Sequence, residues 1–212
     1  MTSIDTADLK RMFDEIAVAI EADKDRLCQL DGVIGDADHG IAMGLGFGAV
    51  RDALASLELA ATEPTALLNT AAKSFLNAVG ASSGPLYATA FMRGAAAVKG
   101  KATLASADVI ALFQAMAQGI QDRGKAEIGE KTMVDAWLPA AEAAAVAHAS
   151  GKTLSESLAA GLEAAERGAE ATKDMIAAKG RSSRLGERSL GHMDPGAASA
   201  VTVIGAMRKS LG

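Results

Sequence analysis

The amino-acid sequence predicts an all-α fold, a single domain of eight helices in an antiparallel up-and-down barrel or bundle. Three observations carry this expectation. Apolar residues recur at three- and four-residue spacing along most of the 212 residues, the signature of amphipathic helices. β-Branched residues are scattered, and no run alternates apolar with polar as a strand does. Half the residues are hydrophobic yet only 3% are aromatic, so the core must be built from Ala, Leu, Ile, Val and Met, which favours close-packed helices over a sheet sandwich. The length suits one sizeable core, and no repeat or low-complexity linker divides residues 1–212.

Taken in order, the first helix runs from Ile4 to Leu30 through Leu9, Phe13, Ile16, Ile20 and Leu27, with Ser3, Asp5 or Thr6 as its cap. An Asp/Gly loop at 31–40 ends it. The second helix resumes near Ile41 and reaches Leu59; Gly44, Gly46 and Gly48 each cost it up to about 1 kcal/mol against Ala, which suggests close approach by a ligand or another backbone. Pro64 opens a third helix that ends at Val79 before GASSGP (80–85). A fourth spans Pro85 to Val98, and Ser106 or Asp108 caps a fifth through Ile120. After the polar loop 122–132 a sixth helix runs from Thr132 to Ala149, with Pro139 predicting a kink inside it. Thr153 and Glu156 form a capping box for a seventh helix to Ala178. Residues 179–196 lack helical periodicity, and an eighth helix, Ala197 to Leu211, closes the chain.

The unusual residues fall in the loops. If the helices alternate in direction, the loops at 31–40, 80–84, 122–132 and 179–196 follow helices one, three, five and seven and share one end. The turns near 60–64, 99–105 and 150–153 fall at the other end and are short and plain. This parity predicts a single site at one end of the bundle.

The chemistry in those four loops suits Mg²⁺ and phosphate. Asp31, Asp36 and Asp38 crowd three carboxylates into a glycine-hinged stretch. Two like charges about 4 Å apart repel by roughly 4 kcal/mol at an effective dielectric near 20, and oxygen donors on a flexible backbone favour a hard cation over zinc. An acidic surface turn is the alternative reading of that cluster. Ser82 and Ser83, with free backbone N–H groups at the start of the fourth helix, offer an anion site or simply a Ser N-cap after a Gly turn. Arg181 and Arg184 offer phosphate partners or a solvated basic loop. No GxxxxGK[ST] loop and no strand–GxGxxG–helix unit is present. An EF-hand starting at Asp36 fails, because Ile41 stands at its sixth position and Phe47 at its twelfth. His192 reads as structural, His148 has no assigned role, and Trp137 reads as core.

Composition narrows the class. A net charge of −5 argues against nucleic-acid binding. The N-terminus lacks a signal-peptide core, no apolar run approaches the ~20 residues of a membrane span, and the single Cys28 fits a reducing compartment. A cytoplasmic protein without nucleic-acid or membrane partners is expected.

Four motifs, GDADHG (35–40), GASSGPL (80–86), RGKAEIGEKTMVDAW (123–137) and KGRSSRLGERSLGHMDPGA (179–197), closely resemble those of the nucleotide-binding L subunits of dihydroxyacetone kinases, in the same order and over essentially the whole chain. The resemblance implies an eight-helix antiparallel barrel with ADP or ATP and two Mg²⁺ at one end. It implies Asp31, Asp36 and Asp38 as metal ligands, and the stretch His39, Gly40, Ile41 and Ala42 beside the nucleotide. It further implies Ser82 and Ser83 on phosphate, Gly124 and Met133 near the nucleoside, and Arg181 as the arginine acting on the transferred phosphoryl group. Asp194, Pro195 and Gly196 match the segment that closes over the nucleotide. Ala42 stands where the family often has Asn, and GASSG differs from the commoner GGASG. Activity would then require a separate sugar-binding K subunit, with ATP or a phosphohistidine-carrying subunit of the phosphotransferase system as donor, and a homodimer is compatible with this reading. The rival reading is an Mg-nucleotide-binding regulatory protein, or a kinase subunit for another sugar such as erythrulose.

Overall fold

The structure is a computed structural model that describes residues 3–212. Among the described residues the secondary structure is helical, apart from one isolated antiparallel bridge between Ile4 and Leu104. The eight α-helices are α1 (Thr6–Ile34), α2 (His39–Ala55), α3 (Pro64–Ala78), α4 (Ser83–Ala97), α5 (Ser106–Gly124), α6 (Val134–Ala149), α7 (Leu154–Ala171) and α8 (Pro195–Leu211). Each packs mainly on its neighbours in the chain, and α8 returns to pack on α1, so the helices close a ring. This is the predicted all-α barrel. The α1 N-terminus, the α2–α3 connection and the α4–α5 connection meet at one end, where the Thr6 hydroxyl donates to the Thr62 carbonyl and Ile4 pairs with Leu104. The α1–α2, α3–α4, α5–α6 and α7–α8 loops gather at the opposite end, as the parity of the chain requires.

The interior explains how a chain so poor in aromatics fills a barrel. All seven aromatic side chains, Phe13, Phe47, Phe75, Tyr87, Phe91, Phe113 and Trp137, are fully buried and form one connected cluster. Most contacts are edge-on, as between Phe47 and Phe75 at 5.0 Å, the geometry that ring quadrupoles favour. Small residues let the helix axes approach around this centre. Gly46 lies under Phe75, whose ring would stand 2.4 Å from an added Cβ, and Gly40 lies against α1, where an added Cβ would stand 2.1 Å from the Lys24 carbonyl oxygen. Gly44 faces the side chains of Glu21 and Lys24, and Gly48 faces nothing within 4 Å. Within the chain, Gly44 and Gly46 meet side chains of α1 and α3 rather than another backbone, one of the two alternatives expected there.

Local chemistry moves several predicted boundaries. α1 runs four residues past Leu30, because the Gly35 N–H bonds the Asp31 carbonyl and closes the last turn. α2 begins at His39, and its C-terminal stretch breaks at Ala55 into a 3₁₀ turn at Leu59–Ala61. α4 starts two residues early, at Ser83, and α5 runs on to Gly124. α7 ends at Ala171 rather than Ala178, where the Thr172 hydroxyl folds back onto the Ala169 carbonyl and Met175 turns extended. The segment without helical periodicity holds a 3₁₀ stretch, Arg181–Ser189, broken by Gly186 at φ +57°. α8 starts at Pro195 with Asp194 as its cap, accepting from the Ala197 N–H at 2.7 Å.

Pro139 lies inside α6 and deprives the Asp135 carbonyl, four residues earlier, of its helical donor. That carbonyl faces Gly168 of α7, where an added Cβ would stand 1.9 Å from it. Gly168→Ala should therefore force α6 and α7 apart and destabilise the protein by about 1–3 kcal/mol. Gly48→Ala, in a helical position with open space, should stabilise by about 0.5–1 kcal/mol. Thermal unfolding of the two variants checks this: Tm should fall for the first and rise for the second, by roughly 2–4 °C per kcal/mol.

Candidate functional site

The four loops that share an end line one cleft of about 830 Å³. Each contributes a different chemistry. From α1–α2 come Asp31, Asp36, Asp38, His39 and Ala42; from α3–α4, Gly80 to Ser83 and Leu86; from α5–α6, Arg123, Gly124, Ala126 and Lys131 to Val134; from α7–α8, Lys179 to Ser182, Arg184 and Asp194 to Gly196.

The acidic corner is built around Asp31. It sits in the last turn of α1 rather than in a loop, is buried, and its Oδ2 accepts from the backbone N–H groups of Asp38 (2.9 Å) and His39 (3.2 Å). One carboxylate thus caps the first turn of α2 from the end of α1, and it holds the chain in a turn tight enough to put Ala37 at φ +63°. Oxygen atoms of Asp31, Asp36 and Asp38 lie within 4.8 Å of one another. Loss of solvation and the charges of Asp36 and Asp31 hold the Asp38 carboxyl above the usual carboxylate range, only partly opposed by Arg181. Arg181 reaches across from the α7–α8 segment, and its Nη1 donates to Asp36 Oδ2. Three oxygen donors at this spacing, one of them already desolvated, fit a hard divalent cation.

His39 faces away from that corner. Its Nε2 is 2.9 Å from Ser199 Oγ on α8, and the Ser199 hydroxyl donates in turn to the Gly196 carbonyl at 3.0 Å. Burial holds the imidazole below its usual range against the pull of Asp31, so the ring is neutral near pH 7. Ser82 and Ser83 lie at the N-terminus of α4; Ser83 is buried and Ser82 exposed, and unpaired N–H groups of a first helical turn favour an anion. The opposite wall is apolar, made by Leu86, Ile120, Ala126, Met133 and Val134, with Gly124 placed so that an added Cβ would stand 3.2 Å from Leu86.

Of the residues singled out from sequence, all line this cleft except Gly40 and Ile41. Gly40 is buried against α1, and Ile41 is 51% exposed on the outer face of α2. Two residues that sequence reasoning missed are central to the site. Lys131, 1% exposed and at φ +60°, donates through Nζ to the Thr172 and His192 carbonyls. Asp135, also buried, accepts from the Gly129 and Thr132 N–H groups at 2.6 and 2.7 Å and shapes the turn that carries Lys131. The signal for both was present, since they lie in GEKTMVD, but their burial is a tertiary property.

Asp194 caps α8 and lines the cleft. Burial and the neighbouring Asp135 push its carboxyl up to about 7, against donation from the Ala197 and Gly196 N–H groups and the charge of Lys131. A carboxyl whose folded pKa is raised binds its proton more tightly in the folded state, so folding stability falls as pH rises from its ordinary 3.8 towards about 7. Asp194→Asn keeps a capping oxygen but cannot ionise. Its denaturant midpoint should decline less than that of the wild type between those two pH values, and parallel profiles would refute the assignment.

The sequence relationships agree with this arrangement. The DAK2 domain family matches residues 33–209. The chain is 36% identical over 208 residues to the PEP-dependent dihydroxyacetone kinase 2, ADP-binding subunit DhaL, of Listeria innocua, covering 98% of this chain and 96% of that protein. It is 40% identical over 173 residues to the corresponding Escherichia coli subunit, covering 82% and 81%. In structure it is similar to the dihydroxyacetone kinase of C. freundii solved with AMP-PNP and Mg²⁺, with a TM-score of 0.71 and 24% identity over 95% of this chain and 33% of that larger one, a likeness of fold. With the family matched from the end of α1 into α8, and relatives matched over most of their own length, the chain belongs to the DAK2 domain family.

Proposed function

We propose that the chain is the nucleotide-binding, phosphoryl-transferring subunit of a kinase for dihydroxyacetone or a related short ketose, and that residues 1–212 act as one domain. The single observation that carries this is the convergence of four loops on one cleft with an acidic corner, a helix N-terminus and an apolar wall. ADP or ATP fits that division: a base against Met133, Leu86 and Ile120, phosphates between Ser82, Ser83 and Arg181, and two Mg²⁺ at Asp31, Asp36 and Asp38. Bound Mg²⁺ would neutralise phosphate charge and align it for in-line displacement.

The chain's own residues supply orientation and charge. Asp31 fixes the turn that presents Asp36 and Asp38. Arg181, now paired with Asp36, is long enough and exposed enough to turn to the transferring group. The α4 N-terminus holds the phosphates without any further catalytic group. In the transfer itself a P–O bond to the nucleotide breaks as one to a ketose hydroxyl forms, and the hydroxyl proton passes to a base on the sugar-binding partner. No sugar site or base of that kind is assigned to this chain, so its activity depends on a separate sugar-binding K subunit. Relatives that match along most of their length are named as ADP-binding subunits of PEP- or PTS-dependent kinases. This favours ADP held as a coenzyme and rephosphorylated in place by a phosphohistidine carrier over exchange of ATP, and it argues against a purely regulatory role.

Asp36→Ala should reduce the affinity for ADP in the presence of Mg²⁺ at least tenfold, with unchanged helicity, when titrated by calorimetry. Reconstitution with the sugar-binding subunit, a phosphotransferase carrier and a panel of short ketoses should yield a ketose phosphate. No product with either the carrier or ATP as donor would refute the kinase reading.

A further inference from the structure

The residue that the phosphate-and-metal reading leaves unused is Lys131. It is 1% exposed and its backbone stands at φ +60°, a conformation that glycine accepts readily and other residues adopt less often. Burial lowers its pKa, and nearby Asp194, Asp135 and Asp174 oppose that shift. The ammonium spends its protons on two backbone carbonyls, those of Thr172 and His192.

Those two carbonyls are the two feet of one excursion of the chain. Between them residues 173–191 leave α7, cross the cleft and return to α8. The feet are also joined to each other, since the Gly191 N–H donates to the Lys173 carbonyl at 2.8 Å and the Asp194 N–H to Thr172 Oγ1 at 2.9 Å. Above the feet the excursion has few ties. Ala178 N–H donates to the Glu130 carbonyl at 3.1 Å, Lys179 pairs with the Glu130 carboxylate at 3.6 Å, Ala177 N–H donates to Ser189 Oγ at 3.0 Å, and Arg181 to Asp36. It packs no large apolar side chain into the core, and Ile176 and Leu190 are exposed. Lys131 is the charged group that holds both feet, and it does so from a different loop.

We propose that Lys131 is a positioning residue: by clasping the Thr172 and His192 carbonyls it fixes the 173–191 strap over the cleft, sets where Arg181 reaches, and thereby sets how slowly a bound nucleotide leaves. The claim rests on the nucleotide reading above for its last clause only. The strap's ordering is a property of the chain without ligand.

Two measurements separate these parts. In ligand-free protein, limited trypsin digestion read by mass spectrometry reports opening of the strap through cleavage after Arg181, Arg184 and Arg188. In the presence of Mg²⁺, chase of a fluorescent ADP analogue reports its dissociation rate. Lys131→Met should raise strap cleavage and the dissociation rate at least tenfold each, with association changed less than threefold. Lys131→Arg, which keeps a buried cation with several donors, should bring both rates back to within threefold of the wild type. Thr172→Val removes the hydroxyl that ties the same feet without leaving a buried charge; it should move both rates in the same direction by a smaller factor, and it decides the matter if Lys131→Met fails to fold. A folded Lys131→Met with wild-type strap cleavage overturns the clasp, as does Lys131→Arg behaving no better than Lys131→Met. Raised cleavage with an unchanged dissociation rate overturns the link to nucleotide residence. A wild-type chain that binds no ADP analogue overturns the function proposed above and that link together, while strap cleavage still decides the clasp.

Discussion

Everything at the functional end depends on closing the ring of helices between α8 and α1. Sequential packing of antiparallel helices would by itself leave an open sheet of helices with its loops along a line. Bringing α8 back to α1 bends that line into a circle, so that four loops face one another across a cleft. The seam is closed by small residues of α8 packed in the core and by two side-chain ties: the Thr202 hydroxyl donates to Asp23 at 2.6 Å, and Lys209 pairs with Glu15 at 2.6 Å. Ser199 of α8 also meets His39, the first residue of α2, at 2.9 Å beside the acidic corner. A change in how α8 sits on α1 would therefore move Asp194–Gly196 and the Ser199 partner of His39 together.

Electrostatics gives the cleft its direction. Asp31 is desolvated and satisfied by backbone donors; Asp36 and Asp38 remain exposed, and Arg181 supplies the opposing charge within this chain. Like charges held so close store repulsion that a divalent cation would relieve. Arg181, carried on the strap, pairs with the same Asp36 that a cation at this corner would use. The buried Lys131 and the half-buried Asp194 add a second charged layer beneath the strap, where the local dielectric is lower than in water.

The helices and the end of the barrel that carries the site were legible from spacing and parity, because both are properties of the chain taken in order. Asp31, Asp36 and Asp38 were legible as a group for the same reason: they lie within eight residues. What sequence could not give is which side of a residue faces what. Asp31 reads as loop but is helical, since the Gly35 N–H closes the last turn of α1 on its carbonyl. Gly40 and Ile41 sit inside a nucleotide-like motif but face α1 and the outside. The glycines of α2 look like a ligand cradle and prove to be, at Gly46, a seat for Phe75. Lys131 lies in the polar loop 122–132 of the sequence. Its Nζ partners, the Thr172 and His192 carbonyls, stand some forty and sixty residues later, so its burial is a tertiary property.

The central claim is that four loops form one metal–nucleotide site. Crystals grown with ADP and Mn²⁺ in place of Mg²⁺, measured for anomalous scattering, test it most directly. The account predicts manganese peaks among Asp31, Asp36 and Asp38, with nucleotide density running from there past Ser82 and Ser83 to Met133. Manganese or ADP bound elsewhere, with that cleft empty, would contradict it.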